Sequence, residues 1–508
     1  MKKILSLLVI FSAFNSCNDL DLLPLDQVTT STFYKTAADF DGAVFASYSS
    51  IQDFWGSSSE TLSERGEYWK ISIIITDDAI ADPVTATAGD AGISLDLDNL
   101  LFRASDVPWA AIYTQIYEGI LRANLVLENL EAENELTEEQ KSQFEGEAKF
   151  LRAWFHFQAL KMYGTPPLAL EVKKDLTDQA LPNATQDALY TQILADFQDA
   201  ANQLPDAWDN SNLGRATSWA AKSYVGKVNV WKEDWAAAIA AFEDVIANGP
   251  YALMDNYEDV FAFDMENNAE SIFEIQFGGP FSDDNLWVFD DTHTEDFKGT
   301  QGVGRTWYWD AANGAPGGKL GFWPPSQDLV DEFEPGDERL GVSIYQEGDM
   351  YYTYSGGQIE VPYDPTWSAT GHTIKKYRGP RNNAPANYAP NSQADFNNER
   401  WFRFAELKLL YAEALLNAGR ADDATTQIND IRNRAGLDDL AGTATMADLQ
   451  HEKRVEMAFE PHRWFDIVRW DLGPTLFGSA WDPKYVVFPF PQSEVDRSEG
   501  LLQQNTGY

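Results

Sequence analysis

Apolar residues recur every three to four positions through the first half of the chain, the spacing that gathers them on one face of a helix. Phe33 to Gln52 follows this spacing. Trp109 to Leu130 follows it more cleanly, with Ile112, Ile116, Ile120, Leu121, Leu125 and Leu127 close to one face. Thr137-Glu-Glu139 has the acidic first turn that suits a helix start. That helix runs through "FEGEAKFLRAWFHFQALKMYG" and stops near Gly164-Thr-Pro-Pro167. Gln186 to Gln203 is a further helix, ended by Pro205.

A repeat signal follows. Within Lys222 to Pro250, Gly226, Ala238, Phe242 and Pro250 fall at the offsets of a tetratricopeptide unit, with Val225 in place of its Leu and its Trp and Tyr replaced by Lys222 and Asn229. A second copy lies in "AELKLLYAEALLNAGRADDATTQINDIRNRAG", where Ala412, Ala424 and Ile428 take the corresponding places. A small residue lets two antiparallel helices touch, and a large apolar one fills the groove beside it.

Between the copies, Tyr251 to Glu399, helical periodicity is lost. This stretch holds 16 of the 34 glycines and 10 of the 23 prolines. Short alternating pieces such as Ser271–Phe277 ("SIFEIQF") read as strands. The expected architecture is therefore mainly α. Residues 33–250 and 400–508 form a helical scaffold, interrupted by an irregular insertion over 251–399 that carries much of the ligand site, since loops on a rigid scaffold are where binding concentrates.

The chain has 508 residues, with a formal charge of -43 from 37 Lys+Arg and 80 Asp+Glu. So acidic a surface repels phosphate backbones, which argues against nucleic acid and weakly favours uncharged ligands. Met1-Lys-Lys3 followed by the apolar run Ile4 to Phe14 reads as an export signal over residues 1–16, too short for the roughly 20 residues of a bilayer span. Cys17, the only cysteine, follows Asn15-Ser16 in a position resembling a lipobox. The mature body would then be residues 17–508, tethered to a membrane by acyl chains on Cys17 and free of disulfides.

Catalytic motifs are scarce. The five histidines are not paired at metal-ligand spacing, and His451-Glu-Lys-Arg-Val455 has Val where a zincin needs its second His. Acidic pairs occur at Asp77-Asp78, Asp96 with Asp98, and Asp283-Asp284. Each has the chemistry for a structural calcium, though no EF-hand loop fits, and no cofactor is expected. The positive signal is aromatic. Trp287, Trp307, Tyr308, Trp309, Trp323, Trp367 and Tyr377 lie in the insertion among Gly, Pro, Asn and Asp. Extended backbone would put Trp307 and Trp309 on one face about 7 Å apart. Flat rings with polar rims suit sugars, whose C–H faces stack on indole while groups such as Arg305 bind hydroxyls.

"FEPHRWFDIVRW" (Phe459–Trp470) crowds Glu460, His462, Arg463 and Asp466 together. Pro461 predicts a helix ending near Phe459 and a second with Pro461 in its first turn. Arg463 with Asp466, and Asp466 with Arg469, are spaced to pair. The cluster reads as a charge-matched structural corner.

"LQHEKRVEMAFEPHRWFDIVRW" (Leu449–Trp470) and "FPFPQSEVDRSEGLLQQNTGY" (Phe488–Tyr508) resemble the C-terminal signature of the SusD/RagB family of outer-membrane nutrient-binding lipoproteins. Pro461 stands where that family usually has Gly, and Thr506 where it often has Pro. "RFAELKLLYAEALLNAG", "AIYTQIYEGILRANLVLENL" and "GEAKFLRAWFHFQALKMYGTPPL" resemble its helical segments. The resemblance implies a SusD-like α-helical fold and a non-catalytic surface lipoprotein. Such a protein captures oligosaccharide or polysaccharide, or peptide in some members, and passes it to a SusC-type TonB-dependent transporter. It also implies that part of the site lies on loops after the first helix, adding Trp55, Tyr68 and Trp69 to Trp287, Arg305, Trp307, Trp309, Trp323 and Tyr377. Two readings from other classes stand beside it. A secreted glycoside hydrolase or lyase would use a carboxylate pair, and a pure tetratricopeptide adaptor would leave the aromatic insertion unexplained.

Overall fold

The computed structural model describes residues 33–56, 68–81, 91–174, 180–277, 321–354, 358–377 and 397–508, with Trp309, Ala311 and Ala315 as isolated positions between them. Helices α1 (Ala37–Gly56), α2 (Tyr68–Ile74), α3 (Val107–Leu130), α4 (Glu138–Tyr163) and α5 (Gln186–Gln203) make the N-terminal part. The helix predicted from Phe33 begins at Ala37 instead, where Asp39 accepts from the Thr36 and Lys35 N–H groups. Thr137 and Gln140 form a reciprocal cap on α4, each side chain accepting from the other's backbone N–H. Gly164 closes α4 at φ 73°, a conformation glycine adopts without strain. α3 and α4 touch at Gly119, where a Cβ would collide with the Phe155 ring.

Helices α6 (Ser218–Trp231) and α7 (Trp235–Asn248) form the first tetratricopeptide-like pair. Gly226 lies against the Phe242 ring so closely that any side chain there would overlap it, which is the small-against-large contact read from the pattern.

The middle of the chain is built of short pieces. They are β1 (Ser271–Ile275), α8 (Gln327–Glu332), α9 (Glu338–Ser343), β2 (Ile344–Tyr345), β3 (Met350–Tyr354), β4 (Gln358–Pro362), β5 (Thr373–Ile374) and β6 (Glu399–Arg403). β1 pairs antiparallel with β6, from Ser271 opposite Arg403 to Ile275 opposite Glu399. The strands entering and leaving the irregular stretch therefore clamp each other. β2 pairs with β5 and β3 with β4. Around them Tyr345, Tyr351 and Tyr363 make a small separate core against which Trp367 packs.

Helices α10 (Phe404–Asn417) and α11 (Ala421–Arg434) form the second pair, with Ala412, Ala424 and Ile428 fully buried. α12 (Met446–Glu456) and α13 (Arg463–Arg469) flank the corner. Here the structure corrects two expectations. α12 ends at Glu456, and α13 starts at Arg463, so Pro461 lies in the turn and not in a first helical turn. Phe459 supplies the bend at φ 62°, which strains a side chain of its size. Arg463 does not pair with Asp466 but reaches Asp77. Asp466 pairs with Arg469 (2.7 Å), as its spacing suggested, and also with Lys453 (2.9 Å). Among the described residues no helix is long and apolar enough to cross a membrane.

Candidate ligand-binding site

The end of α1 and the start of α2 meet Trp154 and Trp401 in a group of five aromatic rings. Phe54 stacks on Tyr68 at 4.7 Å, and Trp401 of β6 lies 5.6 Å from Trp55, 5.8 Å from Tyr68 and 5.2 Å from Trp154. One residue along α2, Trp69 meets the edges of Trp309 and Trp323 at 5.8 and 5.6 Å. Backbone bonds hold this second layer in place. The Ile80 N–H donates to Pro324 O, the Ser326 N–H to Asp78 O, and the Ser326 hydroxyl to Asp77 O. Tyr377 donates to Glu399 and packs edge-on against Phe261.

This frame decides where the sequence-derived candidates lie. Trp55, Tyr68, Trp69, Trp309, Trp323 and Tyr377 are each at most 4% exposed. The open ring faces expected of the set are not found at these six positions. Their rings come from opposite sides of the junction between scaffold and insertion, and edge-to-face packing across it covers them. Trp287, Arg305 and Trp307 lie outside the described residues, as do Cys17 and the pair Asp283-Asp284. Trp367 is half-buried, resting on Tyr351 (5.5 Å) and Tyr363 (5.8 Å). It is one ring of the aromatic set in the insertion, outside the candidate site residues named from the sequence. The turn Asp364-Pro-Thr-Trp367, with Asp364 accepting from the Thr366 N–H and hydroxyl, was the available signal that it is presented rigidly.

The acids are engaged elsewhere. Arg463 binds Asp77 through two bonds of 2.8 and 2.6 Å, and Arg454 binds Asp78 at 3.0 Å. Burial raises both carboxyls. The Arg463 bonds outweigh it at Asp77, which ends below its usual value, whereas Asp78 stays above. Asp96 bonds Arg103 at 2.6 Å, and burial pushes Asp98 up to about 6. The corner is a closed network with Arg403 at its centre. Arg403 donates to Glu460 (2.8 Å, both oxygens), Glu270 (2.7 Å) and Glu456 (2.6 Å). Lys376 adds a bond to Glu460, and Arg339 reaches Asp337, Glu452 and Glu456. His462 is buried beside Glu406, and burial with Lys227, Lys453 and Lys161 nearby holds it well below its usual pKa. Among the described residues one trio, Glu334, His451 and Glu452, is close enough to share an ion. Its carboxylates already bind Arg432 and Arg339, so its charge is satisfied from within.

A sequence profile described as the SusD family matches residues 269–486, and one described as "Starch-binding associating with outer membrane" matches residues 89–230. Together they span more than half of the chain. The chain belongs to the SusD/RagB family. A SusD-like protein of Bacteroides ovatus is 28% identical over 74% of this chain and 69% of its own length. The starch-binding protein SusD of Bacteroides thetaiotaomicron is 23% identical over 98% of this chain and 97% of its own. Among solved structures, a laminarin-binding SusD-like protein matches with a TM-score of 0.77 at 24% identity, over 94% of this chain and 100% of that one. Surface glycan-binding protein A of Bacteroides thetaiotaomicron, in complex with laminarihexaose, gives 0.74 at 20% identity, over 92% and 99%. At these identities the likeness establishes a shared SusD fold.

Proposed function

We propose that this protein captures a neutral oligosaccharide or polysaccharide at the bacterial outer-membrane surface and delivers it to a SusC-type TonB-dependent transporter. The observation that carries the reading is a SusD fold whose irregular, tryptophan-bearing insertion is joined to a buried aromatic frame through Trp309 and Trp323. Such a base holds a loop-borne ligand surface at low entropic cost. Solved relatives named for laminarin or laminarihexaose, and a relative named for starch, support a glycan as the ligand. Within the insertion, the reading assigns ring stacking to Trp287, Trp307 and Trp367 and hydroxyl bonding to Arg305. Acyl chains on Cys17 provide the tether. The reading is binding and not catalysis, supported by the engagement of Asp77 and Asp78, an acid pair on the scaffold, with Arg454 and Arg463.

Calorimetric titration with a panel of neutral and anionic polysaccharides tests the ligand class, with laminarin and starch included. Saturable binding to a neutral member is expected. Binding only to polyanions, or only to peptides, overturns the reading in favour of a peptide-capturing member. New reducing ends after incubation would point instead to a hydrolase or lyase. Cys17→Ala should move the protein out of the membrane fraction, and pull-down from outer membranes should recover a TonB-dependent barrel.

A further inference from the structure

The turn joining α6 to α7 and the turn joining α10 to α11 border a shallow, open cleft of about 890 Å³. That is within the size range of small-ligand sites. No residue of the insertion or of the charged corner lines it.

Its chemistry differs from that of the buried frame. Trp235 opens α7 and is half-buried, with its indole N–H bonded to no described residue. Asp234 fixes the backbone beside it by accepting from the Ala237 N–H at 3.3 Å. Ala236 and Ala240 follow on the same helix and are exposed. Side chains this short leave the space beside the indole open. Further along α7, Glu243 Oε1 accepts from the Tyr411 hydroxyl (3.0 Å) and from Arg420 (2.9 Å) of the facing pair, while Arg420 Nε is fixed by Asp423 (2.7 Å). Those bonds leave Glu243 Oε2 as an acceptor and Arg420 Nη2 as a donor, both pre-positioned. Inside the cleft Arg420 pairs with Glu243 and Lys232 lies 4.0 Å from Asp234, which leaves the lining one net negative charge at Glu233. An anionic ligand therefore gains little there. An uncharged polyhydroxyl compound gains a ring face and a fixed donor–acceptor pair.

We propose that this cleft is a second glycan subsite, which takes a short stretch of neutral sugar with one ring on Trp235 and its hydroxyls on Glu243 and Arg420. The proposal rests on the glycan-binding reading above and adds a place that the insertion does not supply. Two separated sites on one chain would let a long polymer bind by avidity where a short fragment cannot.

The test uses the full mature protein with laminarin and laminarihexaose, and with amylose and maltohexaose. The indole N–H resonance of Trp235, assigned by its loss in Trp235→Phe, is followed in the wild type, where folding of a variant is not at issue. A saturable shift with a hexasaccharide is expected. Ala240→Trp, a change at an exposed helical position that fills the cleft, should abolish it. The same variant should weaken binding of the matching polymer by roughly tenfold or more. It should leave the tighter calorimetric site for the hexasaccharide within about twofold. An unmoved Trp235 resonance while calorimetry records binding overturns the second subsite and leaves the proposed function standing. Failure of every neutral glycan to bind the wild type removes both.

Discussion

The charged corner around Arg403 and the aromatic frame around Trp401 are equally buried, but they satisfy burial by opposite means. In the corner, three carboxylates converge on one guanidinium, and Lys376, Arg339 and Arg434 complete the matching. The Coulomb attraction has to offset several kcal/mol of desolvation per ion, which it does only when every partner is present. In the frame, ring area removed from water and edge-to-face contacts carry the stability, at about 0.5–1.5 kcal/mol per pair beyond the area itself. Its polar remainder is small, and the indole N–H groups of Trp55 and Trp309 meet no acceptor among the described residues. Residues that look like an acid–base centre are thus fixed by their neighbours. Residues that look like a sugar platform are, in six cases, packed beneath whatever surface the insertion presents.

The strongest way to break this comparison is Arg403→Met. It leaves Glu270, Glu456 and Glu460 facing each other in a dry site. Loss of about 3–5 kcal/mol is expected, read as a collapse in melting temperature or in soluble yield. Adding Glu460→Gln should restore part of it. Near-normal melting of Arg403→Met would mean that the corner is held by packing, as the frame is.

The frame is tested next. Trp69→Ala should cost about 3–5 kcal/mol through the cavity left between Trp309 and Trp323. Trp69→Phe keeps most of the packing. It should lower melting only modestly and leave glycan affinity within about twofold of the wild type. A tenfold affinity loss in Trp69→Phe with normal melting would turn this ring from support into contact.

These two regions also separate what local sequence conveys from what it does not. Helices α3 to α7 follow from apolar spacing because each element's period is written in its own residues. The Gly226–Phe242 contact follows from a repeat pattern within one hairpin. The strand β1 follows from alternation in "SIFEIQF". Long-range partners leave no such trace. Arg463 finds Asp77 and not Asp466, because Asp77 arrives from the far end of the chain at a point no spacing rule reaches. The same applies to Trp55 against Trp401 and Trp69 against Trp309. A tryptophan among Gly, Pro and Asn reads as exposed until the ring that covers it is known.

Asp466→Asn probes the corner more gently. The substitution removes the charge facing Lys453 at 2.9 Å and Arg469 at 2.7 Å, while Glu413 still holds Arg469. Charged hydrogen bonds of this kind are worth about 1.5–3 kcal/mol each. A loss of about 2–3 kcal/mol is therefore expected in chemical denaturation, with ligand affinity of the folded fraction unchanged. A large affinity loss at normal stability would place the corner in the binding machinery.

The smallest effect comes from a polar group on the aromatic side of the scaffold, where neutrality replaces pairing. His156 of α4 is fully buried and follows Trp154 and Phe155. Its Nδ1 bonds Arg152 O at 3.0 Å, and its Nε2 accepts from the Ala169 N–H at 3.2 Å. Donor and acceptor are thereby fixed, and only the uncharged ring fits both bonds. Burial pushes its pKa down to about 3, against about 6.5 for an exposed histidine. Between those values the unfolded chain holds a proton that the native chain does not, so acidification favours unfolding. From pH 7 to pH 5 this group alone should remove about 2 kcal/mol of stability. His156→Gln has no such proton to take up. Denaturation at both pH values should show the variant losing about 2 kcal/mol less than the wild type over that interval, whatever its stability at pH 7. Carboxylates titrating in the corner are common to both proteins and cancel in the difference. An identical pH slope in the two would mean that the native ring is charged, and that the aromatic side relies on pairing after all.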